Sequence, residues 1–141
     1  MIEKRTAPVG TKGYPFPEPE LRAVCIEVVD GDTVGLLVDR GFHDYSYDRF
    51  RLLGVDTAEL RDPDPAKRAL AVQAAERVKE WLTPGPVEFP VAFWDTIIRP
   101  RKDPDSFGRW LADLWALQLD GTEVYVCQVL IDEGLAVPYR R

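Results

Sequence analysis

Five charged side chains in this 141-residue chain are spaced so that folding can set them to work on one phosphodiester. Asp32 lies in Asp30-Gly31-Asp32-Thr33, while Arg51, Asp56 and Glu59 lie in the run Arg51-Leu52-Leu53-Gly54-Val55-Asp56-Thr57-Ala58-Glu59. Arg109 ends Phe107-Gly108-Arg109. Hydrolysis of a phosphodiester must neutralise a highly charged transition state, make water nucleophilic and stabilise a leaving alkoxide. Carboxylates such as Asp32 and Asp56 can hold a hard, oxygen-ligated cation, which meets part of the first demand and lowers the pKa of its water. Arg51 and Arg109 can grip phosphate oxygens through planar forks whose charge does not titrate away. Glu59 can serve as the general base, a role worth roughly 10²–10⁴-fold. Each piece has a plainer reading alone: Asp-Gly-Asp as a hairpin turn, Arg51 as a solvated strand residue, Asp56 to Glu59 as a loop cap. Their joint occurrence in this order, at the ends of strand-like runs, favours the chemical reading.

The composition narrows the chemistry further. A single histidine, His43, leaves no His-based zinc cluster, no Ser-His-Asp or Cys-His catalytic set and no histidine-metal nuclease site. Cys25 and Cys127 sit far apart in apolar stretches and read as buried reduced thiols. With 45% hydrophobic and 30% charged residues, the chain reads as one globular domain. No run has the length of a membrane span, and Met1 to Pro8 lacks the apolar core of a secretory signal, so the cytoplasm is the default compartment; oligomeric state is left open, with a monomer as the default. A net charge of −6 opposes non-specific attraction to a polyanion, although Arg99, Arg101, Lys102 and Arg109 gather locally.

These residues need elements to position them. Residues 1–20, rich in proline, read as an extended arm, and residues 21–141 as the domain. Ala23–Val29 and Val34–Val38 read as a hairpin, and Tyr45–Leu53 as a third strand with Phe50 and Leu52 on one face and Arg49 and Arg51 on the other. Asp64 as N-cap, Pro65 at the first helical position and Leu70, Ala74, Val78 and Leu82 at every fourth residue predict a long helix ending at Thr83-Pro84-Gly85-Pro86. Two further strands are expected at Val87–Trp94 and Arg109–Leu119, then a short helix from about Val126 to Glu133 closed by Gly134. Trp81, Trp94, Trp110 and Trp115 are expected mostly in the core. The fold class is thus α+β, mainly β: a five-stranded Greek-key barrel with one long helix between its third and fourth strands and a short C-terminal helix.

The Asp30–Thr33 motif, the Arg51–Glu59 run, Gly108-Arg109 and Gly134-Leu135-Ala136 together resemble the staphylococcal nuclease (thermonuclease) family over roughly residues 21–139. The resemblance implies an OB-type barrel, with Asp32 and Asp56 as carboxylate ligands of one Ca²⁺ (Mg²⁺ or Mn²⁺ as substitutes) and Thr57 as a carbonyl ligand. It implies Glu59 as the water-orienting base and Arg51 and Arg109 as the pair holding the scissile phosphate. The implied reaction is metal-dependent hydrolysis of DNA or RNA with little sequence preference and a bias to single strands. The second reading is an OB-fold nucleic-acid-binding module that does not cut. The segment between Asp32 and Arg51 is longer than in compact members, which suggests an extended hairpin or an omega loop near the cleft.

Overall fold

A computed structural model describes residues 20–101 and 110–139, so the expectations for the N-terminal arm and for Arg109 lie outside the described residues. Its main sheet is built from β1 (Leu21–Asp30), β2 (Thr33–Asp39), β3 (Tyr45–Leu52), β5 (Thr96–Pro100) and β6 (Trp110–Leu117), with β7 (Glu123–Tyr125) at one edge. The first five close on themselves in the order β3-β2-β1-β5-β6-β3. All pairings are antiparallel except the closing one, where Phe50, Arg51 and Leu52 run parallel to Trp110, Leu111 and Ala112. Register irregularities between Cys25 and Glu27 and between Val28 and Asp30 let β1 bend, pairing with β2 over most of its length and with β5 only at Leu21–Ala23. Closure leaves these five strands with no free edge.

Alternation fills the barrel. Val34, Leu36 and Val38 of β2, Phe50 and Leu52 of β3, Ile98 of β5 and Ala112 and Leu114 of β6 are all buried. Helix α1 (Pro65–Leu82) and helix α2 (Val126–Asp132) extend this core with Val78 and Leu82, and with Val126, Cys127 and Leu130. The Asp64 carboxylate accepts from the Ala66 amide at 3.0 Å to start α1. Gly134, at φ 73°, follows α2, and the Leu135 amide reaches back to the Leu130 carbonyl at 2.8 Å. A minor two-stranded sheet joins β4 (Val55–Asp56) to β8 (Val137–Pro138).

Three expectations need correction. The fourth barrel strand is Thr96–Pro100, not Val87–Trp94. Pro86 and Pro90 lack the amide a central ladder needs, and the buried trio Thr96, Ile97 and Ile98 takes the place beside β1. On α1 the buried stripe is Ala71, Ala74, Ala75, Val78 and Leu82, whereas Leu70 is exposed. At Ala74 the approach is close: a Cβ added to Gly31 would stand 2.8 Å from the Ala74 Cβ. Most of the tryptophans lie outside the core: Trp110 is exposed and Trp94 and Trp115 are half-buried, while half-buried Trp81 packs against the core cluster. The segment between Asp32 and Arg51 forms an extended β2–β3 hairpin, paired from Thr33–Arg51 at its base to Asp39–Tyr45 at the turn.

Candidate functional site

The site is assembled where the β1–β2 turn meets the segment after β3. Asp30 and Asp32 flank Gly31 in that turn, and each carboxylate ties down the facing loop. Asp32 Oδ2 accepts from the Thr57 amide at 3.2 Å, and Asp30 Oδ1 accepts from the Leu60 amide at 3.1 Å. Gly31 permits the approach, since a Cβ there would also come within 3.1 Å of both Thr57 Oγ1 and Cγ2. The loop carrying Asp56, Thr57 and Glu59 is thus fixed by the same Asp-Gly-Asp turn that supplies Asp32.

Arg51 leaves β3 on the face opposite Phe50 and Leu52, as the alternation requires, and is 8% exposed. Its guanidinium is held from several sides. Nη1 donates to the Val55 carbonyl at 2.9 Å and the Leu52 carbonyl at 3.2 Å, and lies 3.2 Å from Asp32 Oδ2. Nη2 lies 3.4 Å from Asp56 Oδ1, and the Tyr139 ring covers the guanidinium with its centroid 5.4 Å from Cζ. Tyr139 is delivered by β8, and its amide donates to the Gly54 carbonyl at 3.0 Å. Gly54 takes φ 84° in the tight turn between β3 and β4, which returns the chain so that Val55 and Asp56 can face Arg51. From below, Cys127 of α2 donates its thiol to the Leu53 carbonyl at 3.3 Å.

The structure therefore brings Asp32, Arg51, Asp56 and Thr57 together. Glu59 lies on the same loop but is exposed, with its backbone carbonyl accepting from Asp62 at 3.1 Å. Arg109 falls outside the described residues. Among the described residues no group of three or more His, Cys, Asp or Glu is placed to cage a metal ion. The donor set still suits a hard cation. Asp32 and Asp56 share one guanidinium, leaving the trio at net −1, and Thr57 Oγ1 is a buried oxygen without a hydrogen-bond partner. Two carboxylates plus neutral oxygens match a divalent ion that keeps several waters and completes its shell with substrate phosphate. Sequence reasoning missed Asp30, whose carboxylate shapes the loop; its place two residues before Asp32 in an Asp-Gly-Asp turn was the available signal.

No protein-family model matches this chain, and no curated protein matches it at a significant level.

Proposed function

We propose that this protein is a divalent-metal-dependent phosphodiesterase acting on nucleic acid, with Ca²⁺ as the first candidate ion and Mg²⁺ or Mn²⁺ as substitutes. The observation that carries this reading is the convergence of Asp32 and Asp56 on the Arg51 guanidinium, at 3.2 and 3.4 Å, with the Thr57 amide donating to the same Asp32 carboxylate. Asp32 and Asp56 would hold the ion, with oxygen from Thr57 beside them. When bound, a divalent cation supplies charge against the phosphate and lowers the pKa of its water. Arg51 would present its fork to a phosphate oxygen, a fixed charge on a side chain only 8% exposed, where water screens it weakly. The three contacts that anchor its Nη1 also pre-set its orientation. Glu59, exposed on the same loop as Asp56 and Thr57, would take the proton from the attacking water. Arg109 would add a second phosphate-binding fork, as the resemblance implies. In fold terms, the reading treats the closed five-stranded barrel as an OB-type scaffold with its long helix before the fourth barrel strand.

The second reading, a nucleic-acid-binding module that does not cut, draws on the same geometry: in the ion pair with Asp32, Arg51 is already partnered. The deciding measurement is cleavage of single-stranded DNA with Ca²⁺ or with a chelator, beside Glu59→Gln and Arg51→Lys. Arg51→Lys is preferred to Arg51→Ala because stripping one partner from a buried pair costs about 3–5 kcal/mol and confounds folding with catalysis. Chelator-sensitive cleavage that falls at least a hundredfold in both variants supports the nuclease. Binding without cleavage selects the second reading, and equal cleavage by all three proteins rejects both roles.

A further inference from the structure

Strand β1 parts from β5 early. The two pair only at Leu21–Ala23, so beyond Ala23 that edge of β1 has no strand beside it. The connection from α1 to β5, residues 83–95, covers it instead. Pro84, Pro86 and Pro90 in this connection have no amide to give a ladder. A backbone hydrogen bond still ties it to β1, from the Gly85 amide to the Cys25 carbonyl at 3.3 Å. A segment that cannot pair arches over the strand, and a cavity of about 470 Å³ opens between them. Val24 and Cys25 line it from β1, and Val87, Val91 and Phe93 line it from the connection.

Asp95, half-buried just before β5, lines the same cavity. Its backbone is fixed: the Asp95 carbonyl accepts from the Leu117 amide at 2.8 Å, and neighbouring Trp94 stacks on Tyr45 with centroids 5.7 Å apart. Its carboxylate is less well provided. Oδ1 accepts from the Thr96 hydroxyl at 3.3 Å, and Oδ2 accepts from the Thr83 hydroxyl at 3.5 Å, the outer limit of a hydrogen bond. Among the described residues no lysine or arginine pairs with it. The described lining adds a second carboxylate, Glu88, and no cationic side chain. Desolvation accordingly raises the Asp95 pKa, with the Thr96 hydroxyl, its own backbone amide and the Thr83 hydroxyl pulling the other way. The charge has lost part of its water and meets nothing positive in return.

We propose that this cavity binds a small primary amine with an apolar body, its ammonium on Asp95 Oδ2 and its body between Val24, Val91 and Phe93. An ammonium brings three donors and the positive charge that the surroundings of Asp95 lack. Phe93 offers a ring to the ammonium or to an aromatic body. The volume falls within the roughly 300–1,000 Å³ of small-molecule sites and is more than an ammonium alone would fill, hence the apolar body. A chain of net charge −6 also favours the approach of a cation over that of an anion. The cavity shares no residue with Asp32, Arg51, Asp56, Thr57 or Glu59, so the amine site stands or falls separately from the nuclease reading.

The test is an amide-resolved NMR titration of the full chain with phenethylammonium and with its neutral isostere 2-phenylethanol. The amine is expected to saturate with a Kd of about 1–5 mM, ordinary for a ligand of this size. Shifts should concentrate at the Gly85, Ala92 and Asp95 amides. The alcohol should bind about tenfold more weakly, because it trades a charge-assisted hydrogen bond for a neutral one. Asp95→Asn keeps the side-chain shape and should bring the amine down to the level of the alcohol. Val91→Phe, which fills the space, should weaken both ligands, while Glu59→Gln should leave both unchanged. Equal affinity for amine and alcohol in the wild type overturns the proposal, and this comparison needs no variant to fold. So do shifts spread over the acidic surface that fail to saturate by about 20 mM amine, the mark of diffuse charge attraction. A folded Asp95→Asn that still prefers the amine overturns it as well. Tighter binding of Nα-acetyl-lysine amide than of phenethylammonium also overturns it, since the site would then read a lysine side chain of another protein.

Discussion

Arg51 shows how much one side chain can be asked to do. It is anchored by two backbone carbonyls, two carboxylates and a tyrosine ring, so its position is over-determined even though its charge is contested. The strand alternation made its outward direction legible from Phe50 and Leu52, but the partners that bury it come from loops with no period to read. The cysteines illustrate the opposite case, groups whose inertness follows from burial. Burial pushes the Cys25 thiol up to about 12, with Asp95 adding to it, and burial followed by Asp113 does the same to Cys127. Both are raised from an ordinary 9.0, so the fold favours the neutral thiol. This contribution is fully present below pH 9 and is lost as pH climbs from 9 towards 12. A thiol-specific disulfide reagent at pH 8 is therefore expected to label neither cysteine in the native protein and both after denaturation. The denaturant midpoint should fall between pH 8 and pH 10. Labelling of the native chain at a rate near that of the denatured one would contradict the burial argument.

At the scale of elements, the strongest local signals found their counterparts and the weakest did not. Hairpin β1–β2, strand β3 and the capped start of α1 could be read because alternation, turn residues and an Asp-Pro start each report on their own neighbours. Val87–Trp94 misled because its valines, phenylalanines and tryptophan suit a strand by type, while Pro86 and Pro90 deny it the amides a ladder needs. Thr96–Pro100 was passed over because Ile97 and Ile98 are both buried, so no polar alternation marks them against the charged loop that follows. The turn at Asp30–Asp32 and helix α1 make a joint prediction. Gly31 faces Ala74 so closely that Gly31→Ala must push turn and helix apart. We expect a cost of about 1–3 kcal/mol, the usual range for overpacking, read as a lowered melting temperature. Activity should fall by more than stability explains, because Asp32 moves with the turn. Ala74→Gly in the same chain should restore part of both by reopening the space, at a helix-propensity cost of about 1 kcal/mol. If Gly31→Ala melts as wild type does, the contact does not govern the position of Asp32.

For the molecule as a whole, the decisive quantity is charge. A protein with a formal charge of −6 cannot draw a polyanion from a distance, so any affinity for nucleic acid must come from short-range contacts. The candidate site offers few cations for this: Arg51 on β3, with Arg109 added by resemblance. One or two neutralised phosphates on a single strand give a log–log salt slope of roughly −0.7 to −1.4. Raising salt from about 50 to about 200 mM should then weaken binding of a deoxyoctanucleotide in chelator by roughly three- to sevenfold, far less than the 10³–10⁵ lost by proteins that grip six to ten phosphates. If a strand is bound, base stacking would supply the remainder without adding a phosphate contact to the slope. A slope steeper than about −4 would mean that basic residues beyond these, such as Arg101, Lys102, Arg140 and Arg141, dominate the contact. The candidate site would then be a minor part of recognition.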